Sequence, residues 1–446
     1  MTNVERFTGG KGWMTGAALV GAVGLILTAV GAFLPDADGQ TGPRFSVLAV
    51  RGPQTEGTRL EPATDSASLN PQDAAAFHTA GSPTHAQEAL ASYLIAFAYW
   101  LGIAVGALIW LAIFHAARAR WMVILRRPLE IMSVAAPIFI LLFLPIAIGA
   151  RQIFMWTHDP ASLGFAGEAV ELLEHKRPYL NLPFFCIRAC IYFFVWAGVG
   201  FLLHRWSTRQ DEEGGVALTA KQRMLGAGAL PFLGITITFA AFDWLMSLNP
   251  FWSSTIYGAY YFGGSFLAAM ALLTLATTLA QRQNLWGTLV TQAHYHNLGK
   301  LLFAFTIFWA YLGFSQFLLI WIANLPEEGP WYILRMKGTW TGVSVLVAVG
   351  HFAVPFAFLL PRDVKLRPQL LAGISVWMLF MHYVDLYWMT MPTFYPGGFS
   401  LPWTAVTAFL GVGGLAIAFA IFRARGHFTV PVKDPYLSDS LRYVQP

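Results

Sequence analysis

Ionisable side chains lie inside long apolar stretches of this 446-residue chain, among them Arg188, Asp243, His382 and Asp385. Ionisable groups in such stretches are costly to bury, and they commonly mark a charge pair or a proton path. His382 and Asp385 are three residues apart, so on a helix both project from one face. A histidine beside a carboxylate can accept and release protons near neutral pH. This pair is therefore a candidate site for a substrate that loses protons.

Further titratable residues lie near this pair and at the opposite ends of the apolar stretches. Tyr383 flanks the pair, and His351 lies deeper in the preceding stretch. His351 is either a hydrogen-bonded core residue or a member of a proton relay. A route for proton entry from the other side would need titratable groups near the ends of the stretches. The sequence offers four there: Glu130, His294, His296 and Lys300.

The composition excludes an ordinary soluble enzyme. Hydrophobic residues make up 56% of the chain and charged residues only 11%, and the mean hydropathy is +0.55. Soluble domains average roughly 25% charged residues. The net charge of +5 is spread over several loops rather than gathered in one basic patch, so it does not indicate nucleic-acid binding. The sequence predicts a polytopic membrane protein.

Apolar runs of about 20 residues mark the candidate spans. The sequence predicts ten transmembrane helices, and no cleavable signal peptide is expected before the first of them. The predicted spans lie at about 14–34, 89–115, 129–150, 182–204, 224–249, 254–280, 298–323, 338–361, 369–391 and 402–422.

The positions of Lys and Arg predict the orientation. With the N-terminus placed in the cytoplasm, 19 of the 28 cations fall in cytoplasmic segments and 8 in outer segments. Both termini are therefore expected in the cytoplasm. Residues 35–88 then form a polar outer loop rich in Pro, Gly, Ser and Thr, either partly disordered or folded over a partner.

A weak internal repeat divides the spans. Asp243 and Asp385 are each followed by a proline seven residues later, at Pro250 and Pro392. The two helices are four spans apart, so they cross in the same direction and fit a duplicated four-helix unit. The predicted fold is all-α, with two four-helix bundles (spans 2–5 and 6–9) and peripheral helices. The expected segments are 1–34, 35–88, 89–249, 250–397 and 398–446.

Arg188, Asp243 and Asp385 are predicted at one depth, roughly 9 Å below the outer interface by helical rise. At a shared depth the arginine could pair with either carboxylate or with neither. One interpretation is a salt bridge that only packs the helices together. The other is a functional polar pocket that is open to the outer side.

No motif for a resident redox centre is present. Cys186 and Cys190 are the only cysteines, which is too few for an iron–sulfur cluster, and no haem-attachment or nucleotide-binding motif occurs. The sequence predicts neither a covalently bound cofactor nor a metal ligand set. Any redox role must use a mobile carrier together with partner subunits.

Three blocks resemble the second NrfD-like membrane subunit of bacterial alternative complex III, within the family of polysulfide-reductase membrane subunits. They are LEHKRPYLNLPFF at 173–185, FDWLMSLNP at 242–250 and HNLGKLLFAF at 296–305. The resemblance covers most of residues 90–446. It implies a subunit of a quinol:cytochrome c or quinol:oxidase complex in the bacterial inner membrane. It also places Arg188 and Asp243 in the first bundle, and His382 and Asp385 in the second.

The resemblance also implies a substrate, cofactors in other subunits and a set of partner proteins. Menaquinol or ubiquinol would be the substrate, and haem and iron–sulfur centres would belong to other subunits. The expected partners are a paralogous membrane subunit, multihaem and monohaem cytochromes c, an iron–sulfur subunit and a terminal oxidase.

One departure from the family pattern bears on the function. The family commonly has Glu-Pro-His-Trp after the acidic residue of the fifth span, whereas this chain has Asn249-Pro250-Phe251-Trp252. Two titratable groups are therefore missing from that outer end. A proton-conducting or structural subunit without quinone is thus an alternative to a quinol-binding one. A secondary transporter is a more distant alternative, because few half-helices interrupted by Gly or Pro are paired between the two halves, although Pro137 and Pro145 do interrupt span three.

Overall fold

The computed structural model describes residues 6–36, 42–45, 47–48, 77–78, 82–163, 165, 167–286, 289–325 and 328–444. Within these residues, ten helices are long and apolar enough to cross a membrane, which confirms the predicted all-α polytopic fold. They are numbered α1 to α10 and span Lys11–Ala32, His85–Ala116, Arg120–Ile148, Leu182–Glu213, Val216–Leu248, Tyr257–Arg282, Gln292–Ala323, Trp340–Leu359, Pro368–Thr393 and Trp403–Ala424.

Short elements connect the spans. Two strands, β1 (Val47–Leu48) and β2 (Phe77–His78), pair antiparallel within the loop between α1 and α2. Most of that loop, residues 49–76, lies outside the described residues, so its predicted role stays a prediction. The short helices are Ala150–Ile153, Glu168–Lys176, Gly329–Arg335, Arg362–Lys365 and Leu437–Leu441, with 3-10 turns at Met155–Thr157 and Pro160–Leu163.

Two spans depart from a regular α-helix. α3 consists of a 3-10 turn and three short helices, Arg120–Leu125, Arg126–Ser133, Ile138–Leu142 and Leu144–Ile148. Its interruptions lie at residues 134–137 and at Phe143, close to Pro137 and Pro145, where a ring replaces the backbone N–H group. α8 contains a π-helical segment over Val347–Ala353. Such segments are frequent at functional sites because the extra residue turns the side chains around the axis.

The ends of α5 and α9 that carry Asp243 and Asp385 have the same local structure. The α-helical part of α5 ends at Trp244 and continues into a 3-10 turn, Met246–Leu248. The α-helical part of α9 ends at Thr390 and continues into a 3-10 turn, Met391–Thr393. The turn precedes the proline in α5 and contains it in α9. The sequence repeat therefore corresponds to a repeated local structure at the ends of these two helices.

The helices pack in two groups around a central pair. α2 contacts α3 and α5, and α4 contacts α3 and α5; α6 contacts α7 and α9, and α8 contacts both of these. α2 and α6 join the groups, and α1 and α10 pack together beside α2. Gly106 permits the close approach of α2 and α6, since a Cβ atom there would lie 2.7 Å from the Ser265 carbonyl oxygen.

The outer surface of the bundle is apolar, as expected for a multi-pass membrane protein. Large hydrophobic side chains are exposed along the outward faces of several spans, including Val23, Phe194, Ile235, Trp321 and Val345. Soluble monomers rarely expose contiguous apolar surface on this scale. The end of the bundle with the starts of α1, α3, α5, α7 and α9 is called the cation-rich end below, because the predicted cytoplasmic cations lie there.

Candidate functional site

The Asp385 carboxylate is the centre of the candidate site, which lies in the second group of helices. It is 1% exposed and accepts two hydrogen bonds. The Tyr260 hydroxyl donates to Oδ1 at 2.6 Å, and Trp309 Nε1 donates to Oδ2 at 3.2 Å. Among the described residues, no lysine or arginine forms an ion pair with Asp385. This carboxyl group is therefore held by neutral donors and can take up or release a proton without breaking a charge pair.

His351 is the basic group nearest to this carboxylate. Its Nδ1 lies 3.9 Å from Asp385 Oδ2, and its ring lies against Trp309 with centroids 4.0 Å apart. The π-helical segment of α8 contains His351 and turns it toward α9. Neither ring nitrogen of His351 has a hydrogen-bond partner in the described part of the chain. The imidazole is thus placed to exchange protons with Asp385.

His382 is farther from the carboxylate than the sequence indicated. Its ring lies 5.3 Å from the Tyr99 ring and 6.3 Å from the His351 ring, and no hydrogen bond or ion pair joins it to Asp385 in the described residues. Tyr383 also faces away, since its hydroxyl donates to the Ala405 carbonyl oxygen. The spacing of three residues places His382 and Asp385 on one helix, but it did not identify the groups that contact Asp385. These groups come from α6, α7 and α8.

A large apolar cavity lies directly beside the carboxylate. Its volume is about 640 Å³, within the range of small-molecule sites. Tyr260 and Trp309, the two donors to Asp385, both line it. The rest of the lining is mostly aromatic and aliphatic, contributed by α7, α8 and the helix Gly329–Arg335. The cavity is therefore coupled to Asp385 through one hydroxyl and one indole N–H.

Among the described residues, Arg335 is the only charged one that lines this cavity, and the sequence did not point to it directly. The buried guanidinium donates to three carbonyl oxygens, those of Trp331, Trp388 and Met389, and stacks over the Trp331 ring at 3.4 Å. Burial lowers the pKa of the Arg335 guanidinium to about 9, which leaves it protonated at neutral pH. The signal in the sequence was Trp331, one helical turn before Arg335, a spacing that allows stacking.

A second cavity of about 630 Å³ adjoins the first, at the end of α5, the start of α6 and the end of α7, opposite the cation-rich end. Gln316 lines both cavities. Its Nε2 is buried and has no acceptor among the described residues. The lining also includes Ser253, Ser254 and Thr255, so this cavity is more polar than the first. The arrangement provides a polar compartment next to an apolar one.

Arg188 pairs with Asp243, which resolves the alternatives that the sequence left open. Nε and Nη2 donate to the two carboxylate oxygens, each at 2.8 Å, and Nη1 donates to the Tyr179 carbonyl oxygen at 2.8 Å. Tyr192 donates to the same carboxylate at 2.7 Å. This bidentate pair is fully hydrogen-bonded and buried, so its charges are fixed in place.

Glu130 lies in a buried charge cluster at the cation-rich end. Arg126 Nε and Arg127 Nη1 donate to its two oxygens at 3.0 and 2.8 Å, and Ser207 donates at 2.7 Å. His204 Nδ1 lies 3.8 Å from it. The carboxylate therefore sits in a strongly cationic environment.

The other predicted entry residues lie elsewhere at this end. His294 Nδ1 is 2.9 Å from the Thr291 hydroxyl, and its ring contacts Trp121 and Tyr443. His296 is half-buried and Lys300 is exposed. Among the described residues, no hydrogen bond or ion pair joins the start of α7 to Glu130, so the four predicted residues do not form one bonded cluster.

No model of a known protein family matches the chain, and no curated protein matches it. Among the described residues there is also no group of three or more His, Cys, Asp or Glu side chains placed to hold a metal ion.

Proposed function

We propose that this chain is a membrane subunit of a quinol-oxidising electron-transfer complex, and that it binds the quinol head group in the 640 Å³ cavity. The observation that supports the proposal is the position of Asp385 behind Tyr260 and Trp309, which both line that cavity. An apolar, aromatic wall suits an isoprenoid chain and a planar ring. A buried carboxyl group without a cationic partner suits a proton acceptor.

Oxidation of a quinol to a quinone breaks two O–H bonds and releases two protons and two electrons. In this proposal one proton passes to Asp385 through the Tyr260 hydroxyl, which accepts it from the quinol while donating its own. His351, 3.9 Å from Asp385, then takes this proton, which frees Asp385 to accept the second proton by the same route through Tyr260. The two electrons leave to an iron–sulfur or haem centre of a partner subunit, as the family resemblance implies.

Photolabelling of the purified full-length chain with a short-chain azidoquinone tests this site. The test variant is Ala310→Trp, whose larger side chain should fill the cavity because Ala310 lines it. The matched control is Ala304→Trp on the same helix, at an exposed position outside the lining. We expect labelled peptides from residues 307–317 or 331–348, and loss of the label in Ala310→Trp only. Equal labelling of both variants, or a label confined to other helices, would overturn the proposal.

A proton-conducting subunit without quinone is the second candidate. The observation that favours it is the presence of buried titratable groups near both ends of the bundle, Asp243 at one and Glu130 with His204 at the other. If the chain only conducts protons, Asp243→Asn in complexes that still assemble leaves quinol oxidation unchanged and abolishes proton translocation in proteoliposomes. Loss of both activities together would count against this candidate.

A further inference from the structure

A third cavity opens at the cation-rich end, between the α2–α3 turn, the start of α5 and the C-terminal segment, residues 425–444. Its volume is about 260 Å³. Within the described part of the chain, four arginines line it and no acidic residue does: Arg118, Arg120, Arg126 and Arg223. A pocket with this lining attracts anions, and one lying between spanning helices is suited to the head group of an acidic lipid.

Two buried polar groups contribute to this lining. Arg126 is 5% exposed; its Nε binds Glu130 and its Nη1 binds Asp434 at 2.8 Å. Its Nη2 has no partner in the described part of the chain. His115 is 7% exposed, and its Nε2 likewise has none. Each of these two cavity-lining side chains therefore has one buried nitrogen atom without a hydrogen-bond partner among the described residues.

Two of the four arginines lie at the rim of the cavity without an acidic partner. Arg118 and Arg223 are exposed and form no ion pair with any described residue, whereas Arg120 binds Asp439 at 2.9 Å. Arg118 also adopts a positive φ of 53°, a backbone conformation that is uncommon for residues other than glycine. The rim thus presents two uncompensated positive charges.

One wall of the cavity is apolar and continues toward the lipid-facing surface. Phe114, Met122, Val123 and Ala217 line it together with Val216, which is 66% exposed at the start of α5. Free phosphate would use only the arginines. A phospholipid would use both surfaces, with its phosphate on the arginines and an acyl chain along Val216.

We propose that this cavity binds the phosphate group of an anionic phospholipid. The lipid would bridge the α2–α3 turn and the start of α5, with Tyr436 of the C-terminal segment also in the lining. This assignment is independent of the quinol site, because the two cavities share no residue.

Native mass spectrometry of the full-length protein in detergent, titrated with phosphatidylglycerol or phosphatidylcholine, tests the proposal. The variant is Arg118→Gln/Arg223→Gln. The control is Lys221→Gln/Arg362→Gln, two exposed cations of the same end that do not line the cavity. Each arginine at a lipid surface contributes roughly a factor of five in affinity, so we expect about 30-fold weaker phosphatidylglycerol binding in the variant.

The control should bind phosphatidylglycerol like the native chain, and phosphatidylcholine should bind weakly to all three proteins. All four replaced side chains are exposed, so both variants are expected to fold; circular dichroism checks this. Equal phosphatidylglycerol affinities of variant and control would overturn the proposal. Displacement of the lipid by millimolar inorganic phosphate would overturn the lipid assignment in favour of free phosphate, whereas retention supports it.

Discussion

His351 Nδ1 lies 3.9 Å from Asp385 Oδ2, and Arg188 binds Asp243 through two hydrogen bonds of 2.8 Å. In both pairs the helix before the acidic helix supplies the basic group, α8 in one and α4 in the other. The guanidinium is always charged, whereas the imidazole gains its charge only on protonation. The first half of the repeat thus contains an ion pair whose cation is always charged. The second half contains a pair whose basic group is charged only when it is protonated.

Removing one partner of the fixed pair should destabilise the protein strongly. Arg188→Gln leaves the Asp243 carboxylate buried without its bidentate donor, which costs about 3–5 kcal/mol. Denaturant unfolding of the purified chain in mild detergent measures this loss. The control is Arg177→Gln, because Arg177 pairs with Glu174 at the surface, where an ion pair contributes about 1 kcal/mol or less.

The double variant Arg188→Met/Asp243→Leu should recover most of that loss, because it buries no unpaired charge. A double variant as unstable as Arg188→Gln would show that the pair is needed for more than mutual neutralisation.

Tyr260→Phe should slow quinol oxidation without preventing quinone binding. The substitution keeps the aromatic ring in the cavity wall and removes the hydroxyl that donates to Asp385. Loss of a positioned proton-transfer group lowers rates by about 10²–10⁴-fold. Steady-state assays of the complex from native membranes give the rate, and azidoquinone labelling gives the binding.

The matched control is Tyr383→Phe on the same helix as Asp385. The Tyr383 hydroxyl donates to the Ala405 carbonyl oxygen instead, so its loss should leave the rate within a few-fold of the native value. Equal slowing in both tyrosine variants would show that Tyr260 has no particular role in proton transfer.

The spans were predictable because ten apolar runs leave few alternative folds, and the structure has ten candidate spans at corresponding positions. The burial of Asp243 and Asp385 was predictable too, because both interrupt such runs. The partners of Asp385 were not, because Tyr260, Trp309 and His351 come from three other helices. The π-helical segment that holds His351 depends on packing against neighbouring helices and has no simple sequence pattern.

Arg335→Lys should destabilise the loop between α7 and α8 although it keeps the charge. The planar guanidinium donates to three carbonyl oxygens and stacks on Trp331, and a lysine ammonium cannot reproduce both contacts. We expect a loss of about 1–3 kcal/mol in denaturant unfolding. Arg362→Lys, at an exposed position, should change stability by no more than about 0.5 kcal/mol. Equal effects in the two variants would contradict a specific role for the guanidinium shape.

Docking of the C-terminal segment should weaken as the pH falls. His427 is half-buried beside His204, with ring centroids 5.2 Å apart. Burial, together with neighbouring basic groups, lowers the pKa of His427 to about 4; these groups are His204, Arg127, Arg423 and Arg6. An undocked His427 would titrate at about 6.5. Between these values the released segment binds more protons than the docked one, so docking is strongest above about pH 6.5 and is lost progressively toward pH 4.

Hydrogen–deuterium exchange of the helix Leu437–Leu441 measures this docking. After correction for the intrinsic exchange rate, its protection should be lower at pH 5 than at pH 7. His427→Gln, which cannot be protonated, should keep the same protection at both pH values. The segment is also held by Asp434 on Arg126 and by Ser440 on the Trp121 carbonyl oxygen, so partial protection should remain at pH 5. The same pH response in native protein and His427→Gln would place the titrating group elsewhere.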